Sequence, residues 1–225
     1  MKINVQLLGG FALAALLCGP SLAHADPLGT FTGWSVEAGG GVGRLSLNDI
    51  AFSQKNVDGA VIDGKIVALD QLSWGGVIGL SMDGSYSLAS KHTHSFTCAD
   101  MTCTHLGDES DGVGPHFSFG QSVIAGWALG PVLAYVNGGF EVTQINASAD
   151  VNNHGFSPDN HVRNSTTVYG PRFGAGIMLA LTEGIRLDLN YQHTDFVAAT
   201  FKDSFGTFNS SARADKVSLD LNIPL

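Results

Sequence analysis

Residues 168–196 read VYGPRFGAGIMLALTEGIRLDLNYQHTDF, and this stretch decides the fold class. In its second half Ile185, Leu187, Leu189 and Tyr191 take the odd positions, while Arg186, Asp188, Asn190 and Gln192 take the even ones. Successive side chains of a strand point to opposite faces, so this run predicts a strand with one apolar and one polar face. The first half alternates likewise. Tyr169, Phe173, Ala175, Ile177, Leu179 and Leu181 face Gly170, Arg172, Gly174, Gly176 and Ala180, with Met178 the one large apolar exception. Thr182-Glu183-Gly184 between them reads as a short hairpin turn ending in Gly. The rest of the chain settles what the apolar face meets.

Charged residues make up 14% of the 225-residue chain, against about 25% in an ordinary soluble domain. The formal net charge of -9 argues against a nucleic-acid partner, which requires a basic face. Residues 1–25 carry the features of a secretory signal: Lys2, an apolar core over residues 7–18, and the Ala23-His24-Ala25 cleavage site. The core is shorter than the ~20 apolar residues a spanning helix needs. Leu17 before Cys18 does not suit lipid attachment, where a small residue is expected. The expected mature chain is residues 26–225, a single domain.

From the leader onward the alternation recurs. Residues 31–47 form a first strand, with Trp34, Val36, Ala38 and Val42 opposite Ser35, Glu37 and glycines. Residues 48–70 read as a long loop. Residues 71–82 form a second strand, Asp83-Gly84 a two-residue hairpin turn, and a third strand starts at Ser85. A polar loop to Gly114 follows. Residues 115–129 and 132–148 give strands four and five about Gly130-Pro131, with Leu133 and Tyr135 breaking the pattern in a way that suits an aromatic girdle or a plug. Residues 149–167 and 202–211 read as further loops, around strands six and seven, and residues 212–225 form strand eight. Connections alternate long and short. That pattern predicts an all-β fold, an eight-stranded antiparallel transmembrane β-barrel with short periplasmic turns and four long external loops.

Several segments carry a resemblance: Thr32-Gly33-Trp34, Ala134-Tyr135-Val136-Asn137-Gly138-Gly139, Gly174-Ala175-Gly176, and above all residues 187–196, LDLNYQHTDF. They resemble the small outer-membrane β-barrel proteins of the opacity and surface-antigen type, also labelled porin-family or outer-membrane immunogenic proteins. The resemblance implies residence in the outer membrane, contact with outer-membrane lipid and with the assembly machinery, and a structural or interaction role through exposed loops whose ligand the sequence does not name. The family usually ends in an aromatic residue; this chain ends Asn222-Ile223-Pro224-Leu225, which bears on assembly efficiency.

Candidate chemistry is sparse. Cys98 and Cys103 share one predicted external loop in an oxidising compartment, so a disulfide is expected. His92, His94 and His105 lie near them, but the spacing fits no standard zinc pattern. Glu37, Glu141, Arg172, Arg186, Asp188, Lys216 and Asp220 fall on inward positions. An eight-stranded barrel is just wide enough for side chains to fill it, so these charges are expected to pair as a plug. The alternatives are the lining of a small porin and the site of a lipid A-modifying enzyme. The latter finds only His193 with Asp195 and no matching Ser, so no catalytic residue, metal or cofactor is assigned.

Overall fold

The computed structural model describes residues 31–48, 55–88, 91–98, 106–113, 116–152, 160–182, 184–202 and 207–225. Ten strands are present: β1 (Gly33–Asn48), β2 (Lys55–Gln71), β3 (Gly76–Ser87), β4 (Lys91–Cys98), β5 (Leu106–Val113), β6 (His116–Leu129), β7 (Val132–Asn152), β8 (Asn160–Thr182), β9 (Ile185–Lys202) and β10 (Thr207–Pro224). All pairings are antiparallel, in the order β4-β5-β7-β6-β3-β2-β1-β10-β9-β8, and the added β7–β8 pairing closes the sheet. Eight strands therefore form the barrel. β4 and β5 make a hairpin above it, anchored by β5 on the far end of β7, from Val113↔Ala147 to Asp108↔Asn152.

Short turns gather at one end: residues 72–75, Gly130-Pro131 and the β8–β9 turn. Gly75 and Gly130 adopt positive φ (92° and 60°), a conformation open to Gly at little cost. Both chain ends of the barrel meet at this end, where Ser35 pairs with Pro224. The longer connections leave from the other.

The strand count agrees with the sequence reading, but two assignments inside it change. Residues 55–70, read as loop, belong to strand β2, and residues 72–75, read as the start of a strand, form the turn after it. Asp83-Gly84, read as a hairpin turn, lies in the middle of β3, which runs straight through it and pairs with β2 and β6 on either side. The flanking residues explain why. A two-residue turn pairs the residues before and after it and so puts them on one face. Met82 and Ser85 alternate to opposite faces, as one uninterrupted strand requires. The missed strand and the invented turn cancel in the count. The loops expected at residues 149–167 and 202–211 are likewise largely strand, since β7, β8, β9 and β10 project past the apolar band.

The outer wall is apolar. Val42, Ile62, Leu80, Val123, Val136, Phe140, Phe173, Ile177 and Leu189 are each half or more exposed. Such a continuous surface suits hydrocarbon, not water. The three Trp residues lie toward the turn end, with Trp74 and Trp127 in ring contact at 4.8 Å, the level at which aromatic residues meet lipid headgroups. Purified in detergent, the protein is expected to migrate differently before and after boiling on a denaturing gel. Identical migration would contradict a closed barrel.

Candidate functional site

The lumen is filled in three layers. At the turn end Phe31, Val67, Leu69, Val77, Ile124, Leu133, Tyr135 and Met178 form an apolar cluster. The two residues that break the alternation of β7, and the exception in β8, are therefore inward plug residues. At the loop end Leu45, Val57, Ile145, Val168, Phe196 and Ala212 form a second apolar cluster. Between them lies a layer of charge.

Lys65 is the hub of its turn-side half. Its Nζ stands 2.6 Å from Glu37, 3.1 Å from Asp188 and 3.6 Å from Asp220, and its side chain is 6% exposed. Tyr135 donates its hydroxyl to both oxygens of Asp188 at 2.8 Å. Asn222 donates to Glu37 at 2.6 Å and to Ser35 at 2.9 Å. The register explains the gathering: Lys65 pairs with Glu37, Glu37 with Asn222, and Asp220 with Asp188, across the closing seam β2-β1-β10-β9.

Arg172 is the second hub, fully buried. Its guanidinium grips Asp83 through two hydrogen bonds of 2.8 and 2.5 Å and reaches Ser122 at 2.7 Å. Glu141 approaches it at 3.9 Å and accepts from Thr194 at 2.8 Å. The planar fork of Arg suits such two-point carboxylate binding. Gly120 makes room for it: a Cβ there would stand on the guanidinium. Gly120→Val is therefore expected to destabilise the barrel by about 1–3 kcal/mol through overpacking, read as a lower urea midpoint. Lys216 pairs with Asp63 at 3.1 Å. A small, partly open pocket of about 40 Å³, lined by Ser85, Ser87, His116, Ser118, Glu141 and Lys216 among others, borders the loop-end cluster at Leu45; it has room for a few waters.

The model of the outer membrane protein beta-barrel domain matches residues 10–214. The chain belongs to that family. Its members are proteins of the bacterial outer membrane, so the apolar band of the barrel crosses that membrane and the longer connections face outward. Among solved structures, the barrel is similar to the surface protein NspA of Neisseria, at 14% identity and TM-score 0.44, over 86% of this chain and 98% of that one. It is also similar to OprG of Pseudomonas aeruginosa, at 9% identity and TM-score 0.48, over 89% and 100%. The attachment invasion locus protein Ail of Yersinia pestis follows at 12% identity and TM-score 0.42, over 86% and 100%. No curated protein sequence matches this member of the family.

Of the seven inward charges named from the outer-membrane barrel's sequence, Glu37, Asp188 and Asp220 come together, as do Arg172 and Glu141. Lys216 pairs with Asp63, and Arg186 lies over the ring of Phe31 at 5.3 Å with Glu37 as an electrostatic neighbour. Asp188 is held by Lys65 and Tyr135. The inward charges were expected to neutralise one another in pairs; Asp188 finds its cation in Lys65, while Arg186 has the Glu37 carboxylate as an electrostatic neighbour. Three charged residues were missed: Asp63 and Lys65, inside the segment read as loop, and Asp83, inside the dipeptide read as a turn. The unbroken parity of residues 78–88 was the available signal for Asp83.

His193 has more neighbours than Asp195, which lies 3.4 Å away: Asp215 stands 2.8 Å from its Nδ1 and also accepts from Tyr191 at 2.7 Å. Arg44 pairs with Asp58 at 2.6 Å, and Arg213 with Asp195 at 3.0 Å, on the same outer wall just past the apolar band. Cys98 ends β4, while Cys103, His105 and the leader lie outside the described residues.

Proposed function

We propose that this is a surface protein of the outer membrane that acts through its exposed loops and the β4–β5 hairpin in a structural or interaction role, with a lumen that does not conduct. The observation that carries this reading is the packed interior, apolar at both ends and ion-paired between. A porin needs a continuous aqueous path, and here Phe31, Leu133 and Met178 fill one end while Ile145, Val168 and Phe196 fill the other. Loops on a rigid scaffold are where such a barrel carries recognition. The leader over residues 1–25 is proposed to be removed on export, and Cys98 and Cys103 to be bonded in the mature protein. In planar bilayers the purified barrel is expected to give almost no steady current. A stable, ion-selective conductance altered by Lys65→Met or Arg172→Met would make it a small porin instead. Surface labelling of intact cells at the loops, with a binding screen, tests the interaction role directly.

A further inference from the structure

The rim of the apolar band differs on the two sides of the barrel. On β2, β1, β10 and β9 it is charged: Asp58, Arg44, Asp215 and His193 are successive register partners in one outward row, and Arg213 with Asp195 stands in the next. On the other side β3, β6, β7 and β8 present Tyr86, Phe117, Gln144 and Tyr169 at the rim. A belt that merely met lipid headgroups in general would be alike all round. The confinement of charge to one side marks a particular place on the wall.

Each carboxylate of this patch already has its donors, while the two arginines have N–H groups to spare. Arg44 donates to Asp58 through Nε at 2.6 Å and Nη2 at 3.3 Å. Arg213 Nε lies 3.0 Å from Asp195, which also faces His193 Nε2 at 3.4 Å. Asp215 accepts from Tyr191 at 2.7 Å and faces His193 Nδ1 at 2.8 Å. Among the described residues no acceptor is hydrogen-bonded to Arg44 Nη1 or to the terminal amino groups of Arg213. A guanidinium carries five donors in one plane, so each is held by an aspartate along one edge and leaves another edge open, with the side chains 55% and 61% exposed. Arg213 pairs with Ser46, two residues from Arg44 on the same face. Such diagonal neighbours stand roughly 7–8 Å apart, within reach of one ligand between two long side chains. The row below them is Ala60, Val42, Val217 and Tyr191. Beneath it Gly40 lies between its register partners Ile62 and Leu219, both half exposed, and leaves a shallow furrow in the wall.

We propose that Arg44 and Arg213 seat the headgroup of one phosphate-bearing lipid of the outer leaflet, its phosphate between the two guanidiniums and an acyl chain along the furrow below Arg44. The planar fork of Arg matches phosphate oxygens at two points. The occupant is a lipid and not free phosphate, because the donors stand on an open wall at the edge of the apolar band, where a tail adds the burial that the headgroup alone lacks. Three aspartates against two arginines give the patch no general attraction for anions, so recognition rests on the two open forks. This seat goes beyond the surface role and does not rest on it.

The test is native mass spectrometry of the detergent-folded barrel, with phosphatidic acid or phosphatidylcholine of the same chain length added to the micelles. One phosphatidic acid is expected to stay on each barrel in preference to phosphatidylcholine, and inorganic phosphate at the same concentration should not displace it. Arg44→Gln and Arg213→Gln should each weaken the retention by about tenfold, the scale of one lost charge-assisted contact. Gln144→Glu makes the same change in charge on the other side of the rim and should leave retention as it is. Exposed ion pairs add little to stability, so the arginine variants are expected to fold, which the gel shift checks. If either does not, Arg44→Lys and Arg213→Lys take their place, keeping the charge and losing the fork, and the same weakening is expected. Equal retention of the two lipids overturns the proposal, as does a preference that survives in both arginine variants or that Gln144→Glu weakens as much. Displacement by inorganic phosphate overturns it too, since the patch would then take the phosphate without the tail.

Discussion

Lys65→Met should destabilise the folded barrel by roughly 3–5 kcal/mol, the scale for removing one partner of a buried ion pair. Three carboxylates converge on this one ammonium, at 2.6, 3.1 and 3.6 Å. Met keeps most of the stem's volume, so the loss is charge and not packing. Glu37 retains the amide of Asn222, and Asp188 retains the hydroxyl of Tyr135, but neither donor brings positive charge. Domain stabilities run about 5–15 kcal/mol, so the change takes a large share of the total. In urea titrations of the detergent-folded protein the midpoint should fall while the slope stays the same, since the surface exposed on unfolding is unchanged. Adding Glu37→Gln to Lys65→Met should recover part of the loss, because the two residues are in contact and their effects do not add. A Lys65→Met barrel as stable as the wild type would mean that water solvates these carboxylates, and the packed interior would be wrong.

Arg172→Met should cost a similar roughly 3–5 kcal/mol, through a different pairing. Arg172 is the only cation in hydrogen-bonding contact with Asp83 among the described residues, and it does so with both ends of the carboxylate. Removing it leaves Asp83 buried, 4% exposed, and also removes the donor to Ser122. Arg172→Lys should fall between, since an ammonium keeps the charge but lacks the planar two-point fork. Asp83→Asn in the Arg172→Met background should restore stability, because it discharges the stranded group. If Arg172→Lys matches the wild type, two-point geometry contributes nothing here and only the charge matters.

The two hubs lie about 40 residues or more from most of their partners, and this shows where sequence stops being informative. The lipid-facing residues were readable because their constraint is local. Each outward position must be apolar for itself, every second residue along a strand, whichever strands flank it. Ile185, Leu187, Leu189 and Tyr191 announce this without help from the rest of the chain, as do Val217, Leu219, Leu221 and Ile223. The inward parity of Glu37, Arg172, Asp188 and Asp220 followed from the same alternation. β2 did not yield to this reading because both its faces are mixed. Inward, Val57, Val61, Val67 and Leu69 alternate with Asp63 and Lys65; outward, Ile62 and Ile66 sit among Ala and Gly. Asp58-Gly59 and Asp63-Gly64 also imitate turns.

Pairing inside the lumen was decided only by closure. The sequence determined that charges face inward and that an eight-stranded interior has no room to leave them solvated. Which base meets which acid depends on the register of β2-β1-β10-β9 around the seam, which places Lys65 of one strand beside Asp188 of another, 123 residues away. No local propensity encodes that distance. It is fixed when hydrogen bonding joins the last strand to the first, because every inward side chain then has its neighbours set by the ladder and its charge compensated across the lumen or not at all.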